Sequence, residues 1–202
     1  MPLPHSRIFA AGFCLLFATG CASSVTTDSL KITFDSGVAA YDAGDYAKAY
    51  KIWTGIDDLD LAAMRNVALM LRKGQGVAKD PKAAEAMYQR AAEAGLPTAQ
   101  ADLGEMLLNG EAGPPNPAAA VPWLAMAAAA NHPIAQFELA GLYEKGEVVP
   151  HDLNVARRLY KASASHGMKE AQVRLDALGP ETPPQPLPQA APEAAPPPQP
   201  VN

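Results

Sequence analysis

Cysteine is nearly absent from this chain. Only Cys14 and Cys21 occur in 202 residues, so nothing past residue 21 can form a disulfide or ligate a metal through a thiolate. Aromatic residues make up 6% of the chain and β-branched residues are sparse, which argues against a sheet-built core. The net charge of −5 has the wrong sign for a nucleic-acid track, which needs Lys and Arg clustered on one face. No apolar run reaches the roughly twenty residues that a membrane-spanning helix requires.

The signatures of chemistry are missing as well. No His or Cys pair has zinc spacing, and no Ser lies in a nucleophile elbow. Lys73-Gly74-Gln75-Gly76 lacks both the preceding strand and the Gly-Lys-Ser/Thr ending of a phosphate loop, and reads as a helix-ending turn. Asp57, Asp58 and Asp60 form an acidic cluster without the Gly and Glu of a calcium loop. His132 and His166 are expected at helix C-termini, where the dipole favours a partly charged imidazole. Neither a catalytic residue nor a cofactor or metal is expected, so the chain reads as no enzyme.

What the chain does have begins with an address. Arg7 precedes an apolar run from Ile8 to Phe17, and the small residues Ala18, Thr19 and Gly20 lead into Cys21. Small residues followed at once by Cys resemble the bacterial lipobox, although Ala18 stands where that pattern prefers Leu. The resemblance implies a signal over residues 1–20 and lipidation of Cys21, with residues 21–34 as the lipidated Cys and a polar tether. Ala22 follows Cys21, so the Asp that retains similar lipoproteins in the inner membrane is missing; this implies an outer-membrane lipoprotein facing the periplasm. An ordinary secretory signal and a soluble periplasmic protein remain the alternative.

At the other end the composition changes abruptly. Residues 179–202 carry ten prolines with Ala, Gln and Glu between them, and almost no large apolar side chain that could offset the entropy of ordering them. A Pro-rich tail is expected there, either a solvated spacer or a ligand for a groove.

Between these ends the sequence repeats. Gly74, Gly110 and Gly146 fall 36 residues apart, as do Asp80, Asn116 and Asp152, then Ala84, Ala120 and Ala156, then Tyr88, Leu124 and Tyr160. Ala92, Ala128 and Ala164 follow at the same period, as do Gly95, Asn131 and Gly167. In the other half of the unit Ala63, Ala99, Ala135 and Ala171 are each followed four residues later by Val67, Leu103, Leu139 or Leu175. An Asx residue before Pro81 and Pro117 is a helix start, because the cap oxygen satisfies an orphan N–H and proline has none to lose. The Gly/Asn columns are helix ends in left-handed conformation. Each unit is therefore helix A, a loop of about six residues, then helix B. Alanine columns let the helices approach, and stacking is obligatory because one unit cannot bury both faces. Pro122, about six residues into one helix B, predicts a kink or a late start, and the stiff loop Glu111-Ala112-Gly113-Pro114-Pro115 predicts a local surface of its own.

These columns resemble Sel1-like repeats, relatives of the tetratricopeptide repeat with a longer loop between helices. Ala135-Gln136-Phe137-Glu138-Leu139-Ala140-Gly141-Leu142-Tyr143-Glu144-Lys145-Gly146, then Asp152, Ala156, Tyr160 and Gly167, reads like one family unit. Gly37, Gly44, Asp45, Tyr46, Ala49 and Trp53 follow the shorter tetratricopeptide spacing. The resemblance implies an all-α fold over residues 35–178. It would be a right-handed α-solenoid of antiparallel helix pairs, with about three 36-residue repeats, an N-terminal hairpin and a C-terminal capping helix.

In such a solenoid the A helices line the inner curve. Carrying the tetratricopeptide pattern over position by position implies a contact set for a protein or peptide partner. It comprises Arg65, Leu69, Arg72 and Lys73 in one repeat, Ala101, Glu105, Leu108 and Asn109 in the next, and Phe137, Glu144 and Lys145 in the third. The inward-packing alternative for Leu69, Leu108 and Phe137 stays open. By resemblance the chain is expected to be an envelope scaffold or adaptor, attached to the membrane through its lipid and indifferent to nucleic acid. The alternatives are an enzyme acting on cell wall or β-lactams, as in cysteine-rich relatives whose Cys pairs are missing here, and a binding tail with the solenoid as spacer.

Overall fold

The computed structural model describes residues 26–180. Within them nine helices and no strand follow one another: α1 (Thr27–Asp42), α2 (Tyr46–Trp53), α3 (Leu61–Lys73), α4 (Pro81–Glu93), α5 (Pro97–Asn109), α6 (Pro117–Ala129), α7 (Pro133–Lys145), α8 (Leu153–Ser165) and α9 (Lys169–Leu178). The expected signal, Cys21 and the tail beyond Pro180 lie outside the described residues. The arrangement is an all-α solenoid. Helix A of the three repeats is α3, α5 and α7, helix B is α4, α6 and α8, α1 and α2 form the N-terminal hairpin, and α9 closes the far end.

Local chemistry sets the boundaries. Asp80, Asn116 and Asp152 accept hydrogen bonds from the backbone N–H of Ala83, Ala119 and Val155, so each helix B starts on its column residue. Gly74, Gly110 and Gly146 end the A helices with φ of 73°, 68° and 69°, and Asn131 stands in the left-handed region at φ 63°. The loop between helices has one length because its far end is tied back. The N–H of Asp80, Asn116 and Asp152 donates to the carbonyl of Leu71, Leu107 and Tyr143 at 2.9, 2.7 and 3.1 Å.

Repeats join by a device the columns did not announce. Helices α5 and α7 begin with Pro97 and Pro133 and have no side-chain cap. Instead the buried Gln100 and Gln136 donate Nε2 to the carbonyls of Ala92 and Ala128 at 3.1 and 3.3 Å, satisfying the end of the preceding helix B. Ala63, Ala99, Ala135 and Ala171 are all fully buried, as are Ala84, Ala120 and Ala156. Gly104 lets α5 lie tight against α6, since a Cβ there would meet Leu124 Cδ2 at 2.6 Å. The core is correspondingly a chain of three clusters, one spanning α1 to α5, one α5 to α7 and one α7 to α9.

Three expectations need correction. Helix α1 begins at Thr27, eight residues before the expected boundary at 35. Thr26 caps it by accepting from the Ser29 N–H, Lys31 pairs with Asp35 one turn on, and Leu30 and Phe34 pack on the first core cluster, with Phe34 and Trp53 ring centroids 6.0 Å apart. Of the kink or late start expected from Pro122, the late start does not occur: α6 starts on register at Pro117, set by Asn116 and Pro117, and Pro122 lies within it on the exposed side. His132 is the residue from which α7 begins, at a helix N-terminus that disfavours positive charge. Burial holds its titration below the usual histidine range, with Asp102 opposing and Arg65 reinforcing. His166 does end α8, as expected.

Candidate interaction surface on the A helices

Helices α3, α5 and α7 lie in series, and the long side chains of α3 reach across to α5. Arg65 Nε donates to Asp102 Oδ2 at 2.6 Å. Arg72 reaches the loop after α5 with a two-pronged grip, Nε on Glu111 Oε2 at 2.7 Å and Nη2 on Oε1, while Nη1 donates to Glu105 Oε2 at 3.3 Å. A fork held on two carboxylates is stronger and better oriented than a point contact. The hydrogen bond from Arg72 holds the Glu111 carboxyl below the usual carboxylate range, against burial. Tyr88 lies fully buried behind these groups, and its hydroxyl has no partner among the described residues. Burial pushes its titration upward, with Asp102 adding to the effect.

A second polar group joins α7, α8 and α9. Tyr160 donates to Glu144 Oε2 at 2.7 Å, and Arg174 Nη2 meets Glu144 Oε1 at 3.2 Å. Burial and then that hydrogen bond push the Tyr160 hydroxyl up to about 12.

The expected contact set therefore divides by physical role. Lys73, Asn109 and Lys145 are exposed, one on each A helix at the 36-residue spacing. Arg65, Arg72, Glu105 and Glu144 are partly buried in cross-helix ion pairs, and the Arg72 side chain is only 14% exposed. Ala101, expected on the open face, is 2% exposed. Its column-mate Arg65 carries a stem long enough to emerge from the interface, whereas a methyl group remains beneath it. Leu69, Leu108 and Phe137 pack against the three core clusters, so inward packing accounts for them. Phe137 packs against Tyr160 with ring centroids 5.5 Å apart and planes inclined at 58°.

Sequence reasoning missed Asp102, Glu111, Glu138 and Arg174. Their signal was present in the period, because Asp102, Glu138 and Arg174 occupy one column. Glu138 is the odd member. It is half-buried on α7 and has no hydrogen bond or ion pair among the described residues. Burial raises its titration above the usual carboxylate range, Glu105 reinforces this, and Lys145 opposes it. Beside it a cavity of about 210 Å³ opens between α5 and α7, lined by Leu108, Asn109, Pro117, Glu138, Gly141, Leu142, Lys145 and Glu147. A second cavity, of about 220 Å³, lies under the stiff loop and is lined in part by Glu85, Met106, Leu107 and Pro114. Among the described residues no group of His, Cys, Asp and Glu could hold a metal ion, and no helix is long and apolar enough to cross a membrane.

The geometry is that of a preformed side-chain surface on stacked helix pairs, and the repeat phase decides the family. The Sel1 repeat family model matches residues 61–96, 97–132 and 133–168, which are the three 36-residue units of α3 to α8. The chain is a Sel1 repeat protein. It is similar to a solved Sel1 repeat protein from Oxalobacter formigenes, with 32% identity and a TM-score of 0.68 over 71% of this chain and 59% of that one. It is also similar, at 28% identity and TM-score 0.68, to a protective antigen of uropathogenic Escherichia coli displaying an SLR fold, over 74% of this chain and 33% of that one. An immunity protein from Pseudomonas aeruginosa shares the fold at 23% identity and TM-score 0.53, over 73% of this chain and 57% of that one. The chain thus spans less than two thirds of these proteins. A comparison with curated proteins found no match. Sel1 repeat proteins generally mediate protein–protein interaction.

Proposed function

We propose that this Sel1 repeat protein is a non-enzymatic scaffold of the bacterial envelope that holds a protein partner on the face of its A helices. One observation carries the reading. Lys73, Asn109 and Lys145 stand exposed on three successive A helices, while Arg65, Arg72, Glu105 and Glu144 around them are fixed in cross-helix ion pairs. The paired residues have little side-chain freedom left to lose, which lowers their share of the entropic cost of association. The run ending at Cys21 supports export and lipid anchoring at the outer membrane, with the solenoid facing the periplasm.

Two experiments test the two halves of the reading. Detergent partitioning of the wild type against Cys21→Ser reads the anchor: the wild type enters the detergent phase and the variant does not, and equal partitioning would remove the lipid from the account. Affinity capture from envelope extract reads the face. The variant Lys73→Glu, altered only at an exposed position, is expected to melt like the wild type and lose its partner. Retention of every partner would contradict the A-helix face as the contact surface. Release of product from a chromogenic β-lactam would contradict the non-enzymatic reading.

A further inference from the structure

The repeats compare their own interfaces. Between α3 and α5 the bases Arg65 and Arg72 meet the acids Asp102, Glu105 and Glu111. Between α7 and α9 the pair is Glu144 with Arg174. The interface between α5 and α7 has no ion pair among the described residues. Shifting each group by one 36-residue period explains why. Arg65 becomes Ala101, Arg72 becomes Leu108 and Glu105 becomes Gly141, yet Asp102 becomes Glu138 and Glu111 becomes Glu147. Both bases are gone and both distal acids remain.

The vacated space is real. The cavity of about 210 Å³ is lined by Leu108, Gly141 and Glu147, the register equivalents of Arg72, Glu105 and Glu111, and by Glu138, the equivalent of Asp102, which pairs with Arg65 one repeat earlier. Lys145 also lines it. It replaces Asn109 of the preceding interface, not Arg72, and it makes no ion pair with Glu138 or Glu147 among the described residues. Glu138, Glu147 and Lys145 together leave the lining with net negative charge.

We propose that this notch receives an arginine side chain of the protein partner, its guanidinium taking the place that Arg72 fills one repeat earlier. This deepens the scaffold reading and rests on it. Arginine is favoured over lysine because the occupied equivalent uses a planar fork on a carboxylate, a geometry that an ammonium cannot reproduce. Glu147 would take the two-pronged contact, Glu138 the second charge, and Gly141 leaves room where Glu105 stands in the filled copy.

The test is an amide chemical-shift titration of the full-length, ¹⁵N-labelled chain with the blocked peptide acetyl-Ala-Arg-Ala-amide and its neutral citrulline analogue. The arginine peptide is expected to shift the resonances of Leu108, Gly141 and Glu147, and the citrulline peptide to leave them in place. Glu138→Gln should weaken the arginine response about tenfold, as expected for removing one of two charged acceptors. Leu108→Arg should abolish it by filling the notch from within. Equal response to both peptides, no response at millimolar peptide, or a response centred on Lys73 would overturn the proposal. An arginine peptide that fails while the Lys73→Glu variant still loses its partner would sink the notch and leave the scaffold reading standing. If Leu108→Arg lowers stability, the Glu138→Gln result alone decides.

Discussion

Gly146 and Gly95 both have positive φ, but they stand in different surroundings. A Cβ on Gly146 would come within 2.6 Å of His151 Cβ, whereas a Cβ on Gly95 would meet nothing within 4 Å. Left-handed strain alone costs about 1–3 kcal/mol, so Gly146→Val is expected to lower stability by more than that and Gly95→Ala by an amount within it. Thermal melts that rank the two equally would contradict the role of the loop at His151. His132 supplies a second prediction. Its folded titration lies below the unfolded value, so the unfolded chain binds more protons as pH falls through the ordinary histidine range of about 6.5. Stability is therefore full above that range and is lost below it, and a His132→Gln variant should show a flatter profile of melting temperature between pH 5 and 7. The left-handed and capping residues were legible in sequence because glycine, asparagine and Asx-Pro pairs have few other uses. Ala101 was not legible as buried, because a column that holds Arg65, Ala101 and Phe137 changes its depth with side-chain length.

The helices carry the period most faithfully at the B position. All six helices of the repeats, α3 to α8, span 13 residues, and the start of each helix B was readable from its Asx column. The start of α1 was not readable, because Thr27 to Phe34 mixes polar residues with Leu30, Ile32 and Phe34 and lies outside the repeat; its helicity comes from the Thr26 cap and from packing on Trp53. Gly37 belongs to the same contact, since a Cβ there would overlap Trp53 Nε1 at 2.3 Å. At the other end Arg157 closes α9, donating Nε to Gly179 O and Nη2 to Leu178 O, both at 3.0 Å. Removal of residues 181–202 is thus expected to leave the helical circular dichroism and melting temperature unchanged, and Arg157→Ala to cost about 1–2 kcal/mol by freeing the last carbonyls. A large loss of helix on truncation would contradict this.

Across the whole molecule the period carries the backbone while the charges vary from repeat to repeat. The fold could be read from columns of Gly, Ala and Asx because stacking imposes the same packing on each unit. The interaction surface could be read only in part, because ion pairs bridge one repeat to the next and a column says nothing of its neighbour 37 or 39 residues away. Glu138 shows what such a gap costs. Its folded titration is raised, so the folded chain holds its proton longer, and stability present below the usual carboxylate range is lost as pH rises through the raised value. Glu138→Gln is accordingly expected to be slightly more stable than the wild type at neutral pH, by less than about 1 kcal/mol, with the difference vanishing in acid. A variant less stable than wild type at neutral pH would contradict the unpaired state. That acid lies on the face proposed for the partner, where a ligand's charge can compensate it.

The most direct test of that face is site-specific photocrosslinking in the envelope, with the probe at Lys73, Asn109 or Lys145 in turn and at Gln185 as control, followed by mass spectrometry. The account predicts one discrete partner captured from the three A-helix sites and none from Gln185. Capture from Gln185 alone would contradict it and assign binding to the Pro-rich segment, with the solenoid reduced to a spacer.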